Sequence, residues 1–182
     1  MALGYGWRVL AAVILAAGEG RRYGGAKQLH DVGGRPMLEV VCATVADAGV
    51  ETRRVVLGAR AEEILARVPL HGAQPVTCGA WRAGQAASLR CALASLPVEV
   101  DEALVVLGDG PALSAEAVRR VAAGRGARAA DYGSGRAHPV VLPRAEWPGL
   151  PDTGDTPGRT VAVALVDCSD LPAPGDVDYA SR

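Results

Sequence analysis

The stretch from Leu15 to Leu29, LAAGEGRRYGGAKQL, decides how the rest of the chain is read. It continues an apolar run that starts at Val9, short and unbroken as in a parallel strand buried on both faces. Gly18, Gly20, Gly24 and Gly25 then follow within a few residues. Glycines let backbone N–H groups turn inward onto an anion, and Arg22 and Lys27 add the charge that a triphosphate would neutralise. A buried strand that feeds such a loop is the phosphate-binding corner of an α/β sheet. The loop is neither of the two most familiar versions. Lys27 is followed by Gln28 where a Walker A loop needs Ser or Thr, and the glycines run GxGxxxGG where a dinucleotide fingerprint needs GxGxxG.

Working outward, further strand-like runs cover Arg53 to Leu57, Gln74 to Thr77, Ala103 to Leu107, Pro139 to Leu142 and Val161 to Val166. Helical spacing separates several of them. Leu38, Val41, Val45 and Ala48 share one face after Pro36 and before Gly49; Leu89, Ala92, Leu93 and Leu96 repeat it; Val118, Val121 and Ala122 do so after Ser114, a good N-cap. The alternation predicts a three-layer α/β sandwich with a mostly parallel sheet, Rossmann-like in outline. The stretches Gly124 to Gly135 and Pro143 to Arg159, rich in Gly, Arg, Pro and Asp, are expected to be loops at the sheet edge. At 182 residues the chain is expected to form one domain, 1–182.

Lys and Arg total 19 against 20 Asp and Glu, so no general attraction draws the chain to a phosphate backbone and nucleic acid is not an expected partner. No run approaches the roughly 18 apolar residues of a membrane span, and no membrane partner is expected. Arg8 before the Val9 to Ala17 run could be read as the start of a signal peptide, but the run leads directly into the glycine loop, as a buried strand would. Cys42, Cys78, Cys91 and Cys168 lie far apart without a CxxC pair, which predicts reduced thiols in a cytoplasmic protein.

The loop resembles the LAAGxGxRxGxxK signature of sugar-phosphate and molybdenum-cofactor nucleotidyltransferases. The resemblance extends along the chain. WRAGQAASLRCAL at Trp81 to Leu93 is similar to the W-x-x-G-x-x-x-S-L segment of the molybdenum cofactor cytidylyltransferase (MocA-like) group within the MobA-like NTP transferases. GDGPAL at Gly108 to Leu113 is similar to its GDxP metal motif, HPVVL at His138 to Leu142 to its GHPV segment, GDTPGRTV at Gly154 to Val161 to its GDxGAR loop, and GDVD at Gly175 to Asp178 to its closing DxD. The chain departs from the pattern at Ala137, Cys78 and Pro157, and it reaches Arg182 soon after Asp178 without the stretch that opens the family's usual final helix. The resemblance implies the nucleotide-diphospho-sugar transferase-like fold.

It also implies a reaction: an oxygen of the acceptor attacks the α-phosphorus of a nucleoside triphosphate and pyrophosphate leaves. Such chemistry asks for charge neutralisation more than for an acid–base pair, and Mg²⁺ is the cofactor implied. Asp109, just past the Ala103 to Leu107 run at the sheet edge where ligands of open parallel sheets collect, is the first metal-ligand candidate. Asp176 or Asp178 is the second, and the spacing does not choose between them. Lys27 is expected on the β- and γ-phosphates with Arg22 helping, against the plainer reading of a surface pair between Lys27 and Asp31. Leu15, Ala16, Ala17, Gly18, Gly20, Arg22, Lys27 and Ser88 form the expected nucleotide site, with Ser88 starting or capping a helical turn, and Arg22, Lys27 and Asp109 are the expected catalytic set. His138 is expected to be a hydrogen-bonded structural residue, His30 and His71 have no partner spacing, and Trp81 either stacks on a ring or braces the next helix.

Ala16-Ala17-Gly18 and the Ser88 to Arg90 segment lean toward CTP over GTP, with a molybdopterin-type cofactor as acceptor and a molybdenum hydroxylase apoenzyme as a further partner. Three other readings compete: a sugar- or polyol-phosphate nucleotidyltransferase, an NAD(P)H-dependent reductase of a heterocycle, and a non-catalytic accessory protein of a molybdenum enzyme. The missing GxGxxG and the absent ribose-binding acid count against the reductase.

Overall fold

The computed structural model describes residues 8–20 and 24–175. Its centre is β1, Leu10–Leu15, whose side chains alternate between two buried clusters on opposite faces of the sheet. The next elements are a two-residue hairpin of β2 (Asp31–Val32) and β3 (Arg35–Pro36), helix α1 (Met37–Asp47), β4 (Thr52–Leu57), helix α2 (Ala61–Arg67) and β5 (Gln74–Thr77). The chain continues through helix α3 (Gln85–Ala94), β6 (Glu102–Leu107), helix α4 (Ala115–Ala123), β7 (Arg128–Asp131), β8 (Arg136–Pro143) and β9 (Ala164–Asp167). Seven strands form one sheet in the order β5-β4-β1-β6-β8-β7-β9.

β1 pairs in parallel with both β4 and β6, and β4 with β5, as crossover helices require. The remaining half differs: β8 runs antiparallel to β6 and to β7, and β9 is parallel to β7. Leu38, Val41 and Val45 of α1, Ile64 of α2 and Val118 and Val121 of α4 pack with Ala12 and Ile14 on one face. Leu89, Ala92 and Leu93 of α3 pack with Ala11, Val13 and Leu15 on the other, completing three layers. Among the described residues no helix is long and apolar enough to cross a membrane.

The helix boundaries follow local chemistry. The Ser114 hydroxyl accepts the Ala117 amide at 3.1 Å and caps α4, and α1 ends where the Gly49 amide bonds the Ala46 carbonyl. Three readings of the sequence need correction. α2 forms after β4 although no apolar periodicity announced it. The last strand is Ala164–Asp167, because Val161 closes a 3₁₀ turn at Pro157–Thr160. The stretch expected to be a loop at 124–135 contains β7, whose Arg128 is buried and donates to both oxygens of Glu102 at 2.9 and 3.2 Å and to the carbonyls of Val121, Ala122 and Gly126. A buried arginine with every branch bonded is an internal tie, although its sequence context is that of a solvated turn.

Candidate active site

The glycine loop leaves β1 at the carboxyl edge of the sheet. The Ala16 amide still bonds the Val56 carbonyl at 3.0 Å, and the Ala17 carbonyl accepts the Ala59 amide at 3.2 Å, so the loop starts on rigid supports. Gly20 has φ +67°, and a Cβ there would collide with the Gly25 carbonyl oxygen, so both the turn and the close approach require glycine. Gln28 braces the loop from beneath. Its side chain is buried, and Nε2 donates to the Ala16 carbonyl at 2.6 Å and the Gly18 carbonyl at 2.9 Å. With those carbonyls held inward, the loop is fixed without closing the space above it.

That space is a groove of about 790 Å³. It is lined by Leu15, Ala16, Ala17, Gly18 and Gly20 of the loop, by Lys27 and Gln28, and by Trp81, Gln85 and Ser88. Asp109 closes one end, where the chain leaves β6. The Lys27 Nζ lies 2.9 Å from Asp109 Oδ2, so the two expected catalytic side chains meet, and Asp109 is the partner where Asp31 was the plainer expectation. Ser88 is buried in the first turn of α3 and lines the groove without capping the helix. Trp81 packs so tightly on Gly58 that a Cβ there would lie 2.6 Å from the Trp81 Cβ, and the Arg82 guanidinium sits 4.6 Å from the indole centroid. Arg22, Asp176 and Asp178 lie outside the described residues. The segment leading to Asp176 does approach the site, because the Ala112 amide bonds the Pro174 carbonyl at 3.0 Å.

A second cavity of about 290 Å³ adjoins the groove, and the two share Leu15, Gln85, Leu107 and Asp155. Leu89, Val105, Val140 and Leu142 make its wall apolar, with His138 and Arg159 among the polar exceptions. His138 Nδ1 is 3.1 Å from the Val105 carbonyl, and burial pushes the imidazole below its usual range against the opposing pull of that bond. Arg136 holds the neighbouring turn through the carbonyls of Gly158 and Val161.

The family model of the MobA-like NTP transferase domain matches residues 12–167, which include the loop, Lys27, Ser88, Asp109 and both cavities. The chain belongs to the MobA-like NTP transferase family. Among curated relatives, the nicotine blue oxidoreductase of Paenarthrobacter nicotinovorans is 33% identical over 95% of this chain and 94% of its own length. The bifunctional protein GlmU of Rubrobacter xylanophilus is 40% identical over 58% of this chain, a match that spans 22% of that larger protein. Of solved structures, the Rv0371c homologue from Mycobacterium sp. strain JC1 superposes with a TM-score of 0.81 at 29% identity, covering 95% of this chain and 92% of that one.

In this MobA-like chain the cysteines require a correction. Cys78 and Cys91 form a disulfide, and only Cys42 and Cys168 are free thiols, both buried. The pair is distant in sequence, but α3 turns back over the segment after β5 and brings the two Cα atoms to 5.7 Å. The bridge brackets Trp81, Gln85 and Ser88, all of which line the groove. Gln28 and Asp155 are among the lining residues that the sequence reading did not assign to the site. Gln28 carried one signal, a polar side chain between Lys27 and the apolar Leu29; Asp155 carried another, a second Gly-Asp after that of Gly108-Asp109.

Proposed function

We propose that the chain, acting as one domain over residues 1–182, transfers CMP from CTP to a molybdopterin-type cofactor and releases pyrophosphate. The observation that carries this reading is the Lys27–Asp109 pair at the end of a groove floored by the glycine loop. Loop amides would hold the phosphates, and Ser88, in the lining of the same groove, would meet the base. Before nucleotide arrives, Lys27 and Asp109 neutralise each other. A triphosphate draws the ammonium to its β- and γ-oxygens and frees the Asp109 carboxylate, while Arg22 adds charge as the α-phosphorus accepts the new oxygen bond and its bond to pyrophosphate breaks.

Among the described residues no three His, Cys, Asp or Glu side chains form a ready cage for a metal. Mg²⁺ suits such a site, since it commonly takes one or two carboxylates together with substrate phosphates. Asp109 would hold it with Asp176 or Asp178 as second ligand, and the ion would supply neutralising charge at the phosphates. The same reading keeps the protein in the cytoplasm, where nucleoside triphosphates are made, and makes a molybdenum hydroxylase apoenzyme the recipient of the product.

The full-length similarity to nicotine blue oxidoreductase favours a second reading, reduction of a heterocycle by NADPH. In that reading Arg60, just past β4 and 3.4 Å from Glu63, would turn to meet the 2′-phosphate. Thermal-shift titrations with CTP, GTP and NADPH, each with and without Mg²⁺, separate the two. Stabilisation by CTP above GTP that needs Mg²⁺ is expected; stabilisation by NADPH alone, lost in Arg60→Ala, would turn the assignment to a reductase.

A further inference from the structure

We propose that His138 selects the acceptor, its Nε2 lone pair accepting a hydrogen bond from a ring N–H of a fused-ring heterocycle seated in the 290 Å³ cavity. This rests on the reading of the adjoining groove as the nucleotide site.

The cavity sets the size and polarity of its occupant. An engineered apolar cavity of ~150 Å³ accepts benzene, so a space about twice as large suits two fused rings. Leu89, Val105, Val140 and Leu142 offer a flat ring apolar contact, while Gln85, Arg136, Asp155, Thr156 and Arg159 supply polar groups elsewhere in the lining. Leu15, Gln85, Leu107 and Asp155 line both spaces, so the two are neighbours.

The tautomer follows from the bonding. A carbonyl can only accept, so Nδ1 carries the proton that Val105 receives, and a neutral ring then has its lone pair on Nε2. Burial disfavours the charged ring, and the Arg136 charge works in the same direction against that of Asp109. Nε2 has no partner among the described residues. It is also absent from the buried side-chain atoms left without a bond, which are Gln28 Oε1, Arg53 Nε and Arg90 Nε, so it opens on the cavity that His138 lines. An acceptor atom in an apolar wall selects strongly for a donor, because a ligand without one leaves it unpaired.

Fluorescence titration of the full chain with pterin and with N3-methylpterin tests this, with Mg–CTP as the control ligand. The parent should bind pterin about tenfold more tightly than the methylated ring. His138→Phe should erase that preference and leave Mg–CTP affinity unchanged, and His138→Gln, which keeps a donor and an acceptor, should restore part of it. Should the Phe variant fail to fold, ¹⁵N spectra of the parent ring decide: a protonated Nδ1 with an Nε2 resonance that moves on pterin addition is expected. Equal affinity for both rings, no pterin binding by the parent, a preference retained without the imidazole, or a proton on Nε2 would overturn the proposal. Loss of Mg–CTP binding by the parent would instead remove the nucleotidyltransferase reading, and the pterin comparison would still be decided on its own.

Discussion

The two halves of the sheet hold their ligand spaces by different means. On the parallel side, β4, β1 and β6 end at one edge, and the groove there is made of backbone and charge: loop amides, Lys27 and Asp109. On the antiparallel side, β8 runs back beside β6 and lines its cavity with side chains, Val140 and Leu142 apolar and Arg136 and His138 polar, facing the Arg159 turn. A phosphate chain is common to every nucleotide and suits a backbone cradle; an acceptor differs from enzyme to enzyme and suits a wall that side chains can redraw. Variants in the two halves should therefore fail in different ways.

The largest effect should be on stability, at the tie between Glu102 of β6 and Arg128 of β7 in the antiparallel half. Glu102→Ala leaves Arg128 charged and buried without its carboxylate, and Arg8, 2.9 Å from the same group, loses its partner too. Breaking a buried pair in this way costs about 3–5 kcal/mol, to be read as a lower midpoint in urea at unchanged slope. Nucleotide affinity of the folded fraction should be normal. A wild-type midpoint would mean that the pair is not closed in the folded protein.

Asp109→Asn should do the reverse: normal stability, and turnover lower by about 10²–10³-fold with nucleotide still bound, because the amide keeps the shape and loses the charge. Comparing Asp176→Asn with Asp178→Asn then shows which closing aspartate reproduces the loss. Lys27→Ala should be milder, about 1.5–3 kcal/mol in transition-state binding, read as kcat/KM for CTP. Full activity in either variant would separate the paired charges from the chemistry.

The same division marks what could be read without coordinates. The parallel half announced itself through strand-like runs: the unbroken apolar Val9 to Leu15 against Leu10–Leu15, and Gln74 to Thr77 without change. The Ser114 cap was equally plain, because capping is local chemistry. β7 was hidden, because Arg128 among Gly, Arg and Ala looks solvated until Glu102, remote in sequence, is seen beside it. The Cys78–Cys91 bridge and the Gln28 brace were hidden for the same reason, since each depends on a chain reversal that periodicity does not encode. The motifs brought Lys27, Ser88 and Asp109 to one groove, but the direct contact between Lys27 and Asp109 and the opening of His138 on a second cavity needed the fold.

Transfer of label from [α-³²P]CTP is the most direct measurement of the central claim. With Mg²⁺ and molybdopterin, the parent should release one pyrophosphate for each labelled CMP joined to the acceptor, and Asp109→Asn should do both about 10²–10³-fold more slowly. Consumption of NADPH in the presence of a heterocyclic substrate, with no label transferred from any nucleoside triphosphate, would contradict it.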